Sequence, residues 1–334
     1  MRFLLDQEQT EFGRTLDRML SAAGTPGAVR AWARGEREAG RAVWGRLGEA
    51  GAFALAVPEA YEGAGPLPVE LAVAWVEAGR HGVPGPLVET AAAAVLLAAA
   101  AERADAVAAV AKDWLPRIAA GQAMVTLAAP AGGPYALDAD AADAVFVVEG
   151  ERLRAAAGHG PVQPSLDPAR RLARPLGGGQ VLASGPAVAA AAARAADWAA
   201  FATAAQALGT GLALLERTVA YAKQRSQFGR PIGSFQSVKH QLADVLIALE
   251  FARPLLYGAA LALADGTARA GAEVAAAKVA AGEAAYAAAR TALQLHGAIG
   301  YTDEYDLSLW IRKARALRTA WGSPSVCRAR VLAP

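Results

Sequence analysis

A polar stretch, RSQFGRPIGSFQSVKHQLAD, separates two long alanine-rich runs and spans residues 225–244. Arg225 falls at the end of the first run, and its guanidinium offers a planar fork of donors that suits a diphosphate. Gln227 and Gln236 can donate to and accept from a base, a ribose or a phosphate, and Phe228 can pack on a ring or anchor a turn. The stretch predicts a corner that holds a dinucleotide. The alternative is a capped helical corner in which Arg225 binds a helix C-terminal carbonyl.

A second stretch, LQLHGAIGYTDEYDLSLWIRKAR, places a glutamine beside small residues at a helix end. Gln294 closes an apolar run, and Gly297 and Ala298 let a backbone approach a ligand closely. We expect the next helix to begin at Thr302 or Asp303, since either residue can act as an N-cap. The alternative is an interhelical turn with a glycine C-cap.

Other patterns argue against several classes of site. The four histidines lie far apart without HExxH spacing, and GTGLALLER lacks the Lys-Ser/Thr that ends a phosphate loop. Neither a GxSxG elbow nor a Rossmann fingerprint occurs. The single cysteine, Cys327, excludes an internal disulfide and a cysteine-based metal cage. We predict no metal site.

Composition limits the partners. The chain has 334 residues, of which 54% are hydrophobic, so it can bury a large core in two or three domains. Its net charge is +2 and its arginines are scattered, which argues against a nucleic-acid-binding surface. The N-terminus lacks the apolar segment of a signal peptide, and charges interrupt the run TAAAAVLLAAAAERADAVAAVA, which favours a buried helix over a membrane span. We expect a cytoplasmic protein.

The elements that must position these residues fall into three regions. Residues 1–115 show helical spacing with two Gly/Pro loops, and residues 116–185 carry short strand patterns bounded by Gly, Pro and Asp. Residues 186–334 are helical again, with a short last segment after residue 321. The prediction is a mainly α protein with an N-terminal helical domain, a small middle β-domain and a C-terminal four-helix bundle. The expected bundle helices run near Val188–Lys223, Phe235–Ala264, Ala270–Leu295 and Asp303–Ala316.

Together the two polar stretches resemble the acyl-CoA dehydrogenase family. The first follows the family pattern Arg-x-x-Phe-Gly-x-Pro-Ile-x-x-x-Gln from Arg225 to Gln236. The second follows Gln-Leu-x-Gly-Gly-x-Gly-Tyr-x-x-Glu-Tyr from Gln294 to Tyr305, with Ala298 at the second glycine and Arg312 in the next helix. GAFALAVPEAYEGAG and SLDPARRLARP are similar to family segments of the N-terminal domain and the β-domain.

The resemblance implies FAD as cofactor and acyl-CoA thioesters as substrates, dehydrogenated between the α and β carbons. A glutamate base removes the α proton while the flavin accepts the β hydride. The resemblance also implies that residues of a neighbouring subunit hold the diphosphate and adenosine end of each FAD. By position these residues are Arg225, Gln227, Phe228, Gln236, Gln294, Leu295, Gly297 and Ala298.

The sequence departs from the family where catalysis occurs. Trp321 stands at the position of the family's base, and Ala199 stands at the alternative position that other members use. The segment TLAAPAGGPYALD lacks the Glu before the proline and the Ser-Asp after it that contact the flavin ring in the family. By resemblance, the chain therefore keeps the contacts made to a neighbour's FAD and loses those made to its own.

Three hypotheses follow. In the first, the chain is the non-catalytic subunit of a heteromeric α2β2 acyl-CoA dehydrogenase, several of which act on steroid side-chain thioesters, with an electron-transfer flavoprotein as acceptor. In the second, it is a homo-oligomeric flavoenzyme with a displaced base, for which Asp197, Glu216 and Glu304 are candidates. Helical spacing disfavours the first two, and Glu304 can instead pair with an arginine such as Arg312. In the third, it is a flavin-free scaffold or regulatory protein that kept only the fold.

Overall fold

A computed structural model describes residues 4–333 of the chain. Six helices form the N-terminal region: α1 (Gln7–Ser21), α2 (Thr25–Ala33), α3 (Glu38–Glu49), α4 (Pro68–Arg80), α5 (Leu87–Ala101) and α6 (Asp105–Ala119). The helix α1 begins at a capping box, in which Asp6 accepts from the Gln9 amide and the Gln9 side chain accepts from the Asp6 amide. The two Gly/Pro loops lie before α4 and before α5, as the sequence predicts.

The middle region is a small β-domain. Strands β1 (Val125–Ala128), β3 (Ala144–Glu149), β4 (Arg152–Ala155) and β6 (Gln180–Ser184) form one sheet in the order β1-β3-β4-β6. The β1–β3 pair is parallel and the other two pairs are antiparallel. Strands β2 (Ala136–Leu137) and β5 (Leu172–Ala173) form a separate antiparallel pair. All four residues of β1 are buried, because α5 packs on this edge of the sheet.

The C-terminal region is the predicted helical bundle. It contains α7 (Pro186–Gln224), α8 (Gln236–Ala264), α9 (Ala270–His296) and α10 (Leu307–Thr319), followed by α11 (Pro324–Leu332). Strands β7 (Ser226–Gln227) and β8 (Arg230–Pro231) form a hairpin between α7 and α8. The mainly helical fold with a small sheet domain is confirmed. The short last segment expected after residue 321 is the nine-residue helix α11.

The start of α10 differs from the prediction. It begins at Leu307 after a 3₁₀ turn over Gly297–Tyr301, and neither Thr302 nor Asp303 caps it. The Asp303 carboxylate instead accepts a 2.8 Å bond from Arg312, and its carbonyl accepts from Arg30 of α2. A tertiary contact has therefore replaced the local cap.

Close backbone contacts bring the N-terminal region and the bundle together. Helices α4 and α7 cross where Gly79 faces the carbonyl of Gln206 and Gly209 faces the carbonyl of Val76. A side chain at either glycine would overlap the other helix, so these small residues set the helix separation. One continuous core joins both helical regions to the sheet and includes the fully buried Trp75.

Two helices, α7 and α8, are long and apolar enough by length and composition to cross a membrane. The most apolar window of α7 is 89% buried within the bundle, whereas that of α8 is only 44% buried. Four exposed residues of α8 form an outward apolar face: Leu246, Ile247, Phe251 and Leu255.

Candidate functional site

The first polar stretch folds into a tight corner between α7 and α8. Phe228 and Gly229 both have positive φ angles, 52° and 78°, which is the geometry of a two-residue hairpin turn. The Ile232 amide donates 2.8 Å to the Arg225 carbonyl and returns the chain to the helix end. Phe228 is 93% exposed, so the turn displays an aromatic side chain to solvent at a backbone conformation that glycine would adopt more easily.

Donors at this corner are free for a ligand. The exposed guanidinium of Arg225 donates to no described residue, so the alternative in which it caps a helix carbonyl is not seen. Gln227 is exposed and donates only to the neighbouring Ser226 carbonyl. Gln236 is the first residue of α8, which has no side-chain cap. The Val238 and Lys239 amides donate to the Phe235 carbonyl, which leaves the amides of Gln236 and Ser237 for a ligand. A helix N-terminus and a free arginine are a suitable pair for an anionic diphosphate.

The second stretch ends α9 beside a glycine in the left-handed region. Gly297 has φ 66°, and its amide donates to the Leu293 carbonyl. Gln294, Gly297 and Ala298 are exposed and Leu295 is half-buried. The predicted glycine C-cap and the exposed backbone therefore occur at the same turn.

An aromatic stack brings the two stretches together. Tyr221, four residues before Arg225, stacks on His296 with 4.0 Å between ring centroids, and Tyr305 lies 5.5 Å from His296 on another side. His296 shares a 2.8 Å hydrogen bond between its Nδ1 and the Ala292 carbonyl, and burial lowers the pKa of His296. His296 thus has a structural role, because it joins the ends of α7 and α9 into one surface.

At the position that the resemblance assigns to the base, the structure has a buried tryptophan. Trp321 follows α10 with φ 52°, a conformation that is strained for a bulky residue. Its indole Nε1 donates 2.9 Å to Oε1 of Glu89, which is 3% exposed. The indole also packs on the loop that contains Gly132, since a Cβ added at Gly132 would lie 3.0 Å from three of the indole ring atoms. By resemblance, this loop lacks the residues that contact the flavin ring in the family. The indole of Trp321 therefore fills the space between the end of α10 and that loop.

A buried lysine fixes the turn that carries Trp321. Lys278 Nζ donates to the carbonyls of Leu317, Arg318 and Gly322 at 3.0, 3.2 and 3.3 Å. Burial lowers the pKa of Lys278 to about 8, and the thiol of Cys327 has the opposite, smaller effect. Cys327 is buried.

The sequence reasoning missed Glu89. It lies in α5, a helix buried on nearly every side, and no motif surrounds it. One signal was available: Glu89 is the only charged residue of that 15-residue helix, and a buried carboxyl needs a donor partner.

The candidate displaced bases lie elsewhere. Ala199 is fully buried in α7. Asp197 pairs with Arg330, and Glu216 lies 3.1 Å from Arg80. Glu304 is exposed, and the suggested partner Arg312 binds Asp303 instead. None of these three carboxyls lines the cavity beside Trp321.

Comparison with known proteins identifies the family. The model of the acyl-CoA dehydrogenase N-terminal domain matches residues 6–122, and the model of the C-terminal domain matches residues 187–333. The chain belongs to the acyl-CoA dehydrogenase family. The acyl-CoA dehydrogenase IpdE2 of Mycobacterium tuberculosis is 35% identical over 95% of this chain and 94% of its own length.

Solved structures of acyl-CoA dehydrogenases share this architecture. The Tcur3481-Tcur3483 steroid ACAD G363A variant superposes with a TM-score of 0.83 and 27% identity, over 97% of this chain and 96% of that one. The ChsE4-ChsE5 complex from Mycobacterium tuberculosis gives 0.80 and 23% identity over 99% and 98% of the two chains, which shows the shared fold.

Proposed function

We propose that this chain is the base-lacking subunit of a heteromeric acyl-CoA dehydrogenase, and that it holds the diphosphate and adenosine end of an FAD whose flavin ring lies in a catalytic partner. The observation that carries the proposal is the indole of Trp321. It stands where the family places its glutamate, and an indole N–H cannot accept a proton. Because the ring also packs on Gly132, the space in which this chain would hold a flavin ring of its own is reduced.

The polar corner fits the other end of the cofactor. Arg225 would pair with the diphosphate, the uncapped start of α8 would add amide donors, and Gln227, Gln236 and Gln294 would bind the ribose and adenine. Leu295 would pack beneath them, while Gly297 and Ala298 would allow the ligand to approach the backbone. All but Leu295 of these residues are exposed in the single chain, as a site completed by a second chain requires.

An apolar surface on α8 supports the proposal of a partner chain. The outward face of α8 carries Leu246, Ile247, Phe251 and Leu255, which are between 45% and 72% exposed. This face lies on the helix that begins at the corner, so a chain that covered the face could place its own FAD beside Arg225. The steroid ACAD of similar fold is named for two gene products, which agrees with a hetero-oligomer.

In this assembly FAD, when bound, supplies the acceptor for the β hydride of the acyl-CoA, and the partner supplies the glutamate. This chain positions the cofactor and contributes no proton-transfer group at its own base position. Lipid or steroid thioesters as substrates, an electron-transfer flavoprotein as acceptor and a cytoplasmic location belong to the same proposal.

A homo-oligomeric enzyme with a displaced base is the second candidate. Glu89 is the carboxyl that would serve it, because it is the acidic residue that lines the cavity beside Trp321. Its Oε1 accepts from the Trp321 indole, and the neighbouring loop lacks the family's ring contacts, so we favour the heteromer.

The test is the visible spectrum and solution mass of the chain, purified alone and co-expressed with dehydrogenase subunits from the same genome neighbourhood. We expect a colourless chain alone and a yellow heterotetramer with its partner. A yellow homo-oligomer formed by the chain alone would favour the displaced base. A complex without flavin would favour the scaffold.

A further inference from the structure

A cavity of about 350 Å³ remains beside the Trp321 indole. The end of α10, the loop before β5 and residues of the small β-domain form its walls, and Glu89 of α5 lines it next to Trp321. Exposed Leu166 and Thr319 lie at its rim. Its size falls within the range of small-molecule sites, and the proposed FAD contacts at the distant corner do not use it.

Two arginines in the cavity wall lack an acidic partner, although the Arg315 guanidinium lies over the Tyr286 ring, 5.9 Å from its centroid. Arg170 and Arg315 are half-buried, and neither guanidinium forms an ion pair or hydrogen bond with any described residue. Two arginines nearby in the sequence do have acidic partners, since Arg171 binds Asp140 at 2.8 Å and Arg318 binds Glu283 at 2.9 Å. A guanidinium that loses water without gaining an acceptor is unfavourable, so a pair of them in one cavity indicates an anionic ligand.

The rest of the wall is apolar on one side and acidic at the indole. Leu127, Leu137 and Leu172 line the cavity together with the ring of Tyr135. Glu89 is the only acidic side chain among the lining residues. A ligand with a second anionic group near Glu89 would meet like charge in a poorly hydrated region. The walls therefore suit a small ligand that has one anionic group at one end and is otherwise apolar.

We propose that this cavity is a binding site for a small aliphatic monocarboxylate. The carboxylate pairs with Arg170 and Arg315, the alkyl chain packs on the leucines, and Glu89 selects against dicarboxylates. The inference rests on the same packing of Trp321 that carries the shared-FAD proposal, but it uses none of the residues of the polar corner, so loss of hexanoate binding and loss of FAD binding are separable.

Isothermal titration of the full chain with hexanoate, adipate and hexanamide tests the site. Hexanoate should bind, and adipate and hexanamide should bind at least about tenfold more weakly, as expected when one charged contact is opposed or lost. R170Q and R315Q should each weaken hexanoate binding about tenfold or more. R290Q changes an exposed arginine outside the cavity and should leave binding unchanged.

The variant E89Q tests selectivity separately. Glutamine can still accept from the Trp321 indole, so the wall should persist, and adipate should then approach the affinity of hexanoate. No hexanoate binding at millimolar concentration, or equal binding by R170Q, R315Q and the unchanged chain, overturns the site. An unchanged ratio of adipate to hexanoate affinity in E89Q overturns the role of Glu89. Thermal melting of each variant checks that it is folded.

Discussion

Trp321 and Glu89 are 232 positions apart in the chain, and the indole Nε1 donates a 2.9 Å hydrogen bond to Oε1 of Glu89. The bond joins the turn after α10 to the first turn of the buried helix α5. Because both groups are buried, each depends on the other for its hydrogen bond. The residue that the resemblance places at the family's base position therefore makes a structural contact in this chain.

Removing the acceptor should destabilise the protein. Glu89→Leu leaves the buried indole N–H without a partner, and we expect a loss of about 1–3 kcal/mol in the free energy of unfolding. Glu89→Gln retains an acceptor oxygen and should cost less than half as much. Urea unfolding measures both, and equal losses in the two variants would show that the hydrogen bond contributes little.

Placing a glutamate at the base position should not restore activity. We expect Trp321→Glu in the isolated chain to show no acyl-CoA dehydrogenation, because the adjoining loop still lacks the ring-contacting residues. The measurement is reduction of an artificial electron acceptor with a panel of acyl-CoA thioesters, with Trp321→Phe as the control for loss of the indole. Turnover by the glutamate variant alone would sink the shared-site proposal, since it would mean that the rest of the chain's own site is complete.

Loss of the corner arginine should weaken FAD retention in the complex. Arg225→Ala removes a charge-assisted contact, and we expect the FAD dissociation constant to rise about tenfold or more. Arg269→Ala is the matched control, because Arg269 is exposed beyond the other end of α8, roughly 43 Å away at 1.5 Å per residue. Flavin absorbance per mole of complex after gel filtration gives the answer, and equal flavin content in both variants contradicts the assignment of Arg225.

A charge on the apolar face of α8 should separate the subunits. Phe251 is 72% exposed at the centre of that face, and Phe251→Asp should weaken association about 30-fold or more, as for a residue worth about 2 kcal/mol at an interface. Val181→Asp, at an exposed apolar position on β6, should leave the complex intact. Analytical ultracentrifugation distinguishes the two, and the melting temperature of the single chain should hardly change. A stable heterotetramer of the Phe251 variant would remove α8 from the interface.

Stability should fall as the pH rises through the weakly acidic range. Burial raises the pKa of Asp138 to about 7, and the hydrogen bond from the Trp32 indole, which favours the carboxylate, lowers this pKa by less. In the unfolded chain the group has its ordinary pKa of 3.8. Between these values the folded state holds a proton that the unfolded state has released, so the free energy of unfolding decreases with pH and levels off above about 7. The slope approaches 1.4 kcal/mol per pH unit at most.

Asp138→Asn is the control for this slope. The amide oxygen can still accept from Trp32 and from the Arg171 amide, and asparagine tolerates the observed φ of 54°. Urea midpoints measured from about pH 4.5 to 7.5 should decline for the native chain and stay flatter for the variant. The chosen range avoids Lys278, whose lowered pKa acts between about 8 and 10.5. Parallel curves would show that Asp138 is ionised in the folded protein.

The sequence predicted the helical bundle to within a residue or two at most ends, because alanine-rich runs are bounded by turn residues at Arg225, Gly266 and Gly297. It misplaced the start of α10, since the contact of Asp303 with Arg312 lies beyond local capping rules. Linear spacing alone was enough to single out the two polar stretches that the proposal assigns to the FAD tail. It did not find Glu89, Arg170 and Arg315 as neighbours, because only the folded chain brings α5, the β5 loop and α10 to one cavity.

The apolar face of α8 also bears on how the protein is maintained in a cell. A copy made without a partner leaves Phe251 and its neighbours in water, where chaperones and proteases act on such surfaces. Excess copies would be removed while assembled ones survive. The amount of this chain would then follow the supply of the subunit that covers α8, and balanced synthesis of the two would matter as much as the affinity between them.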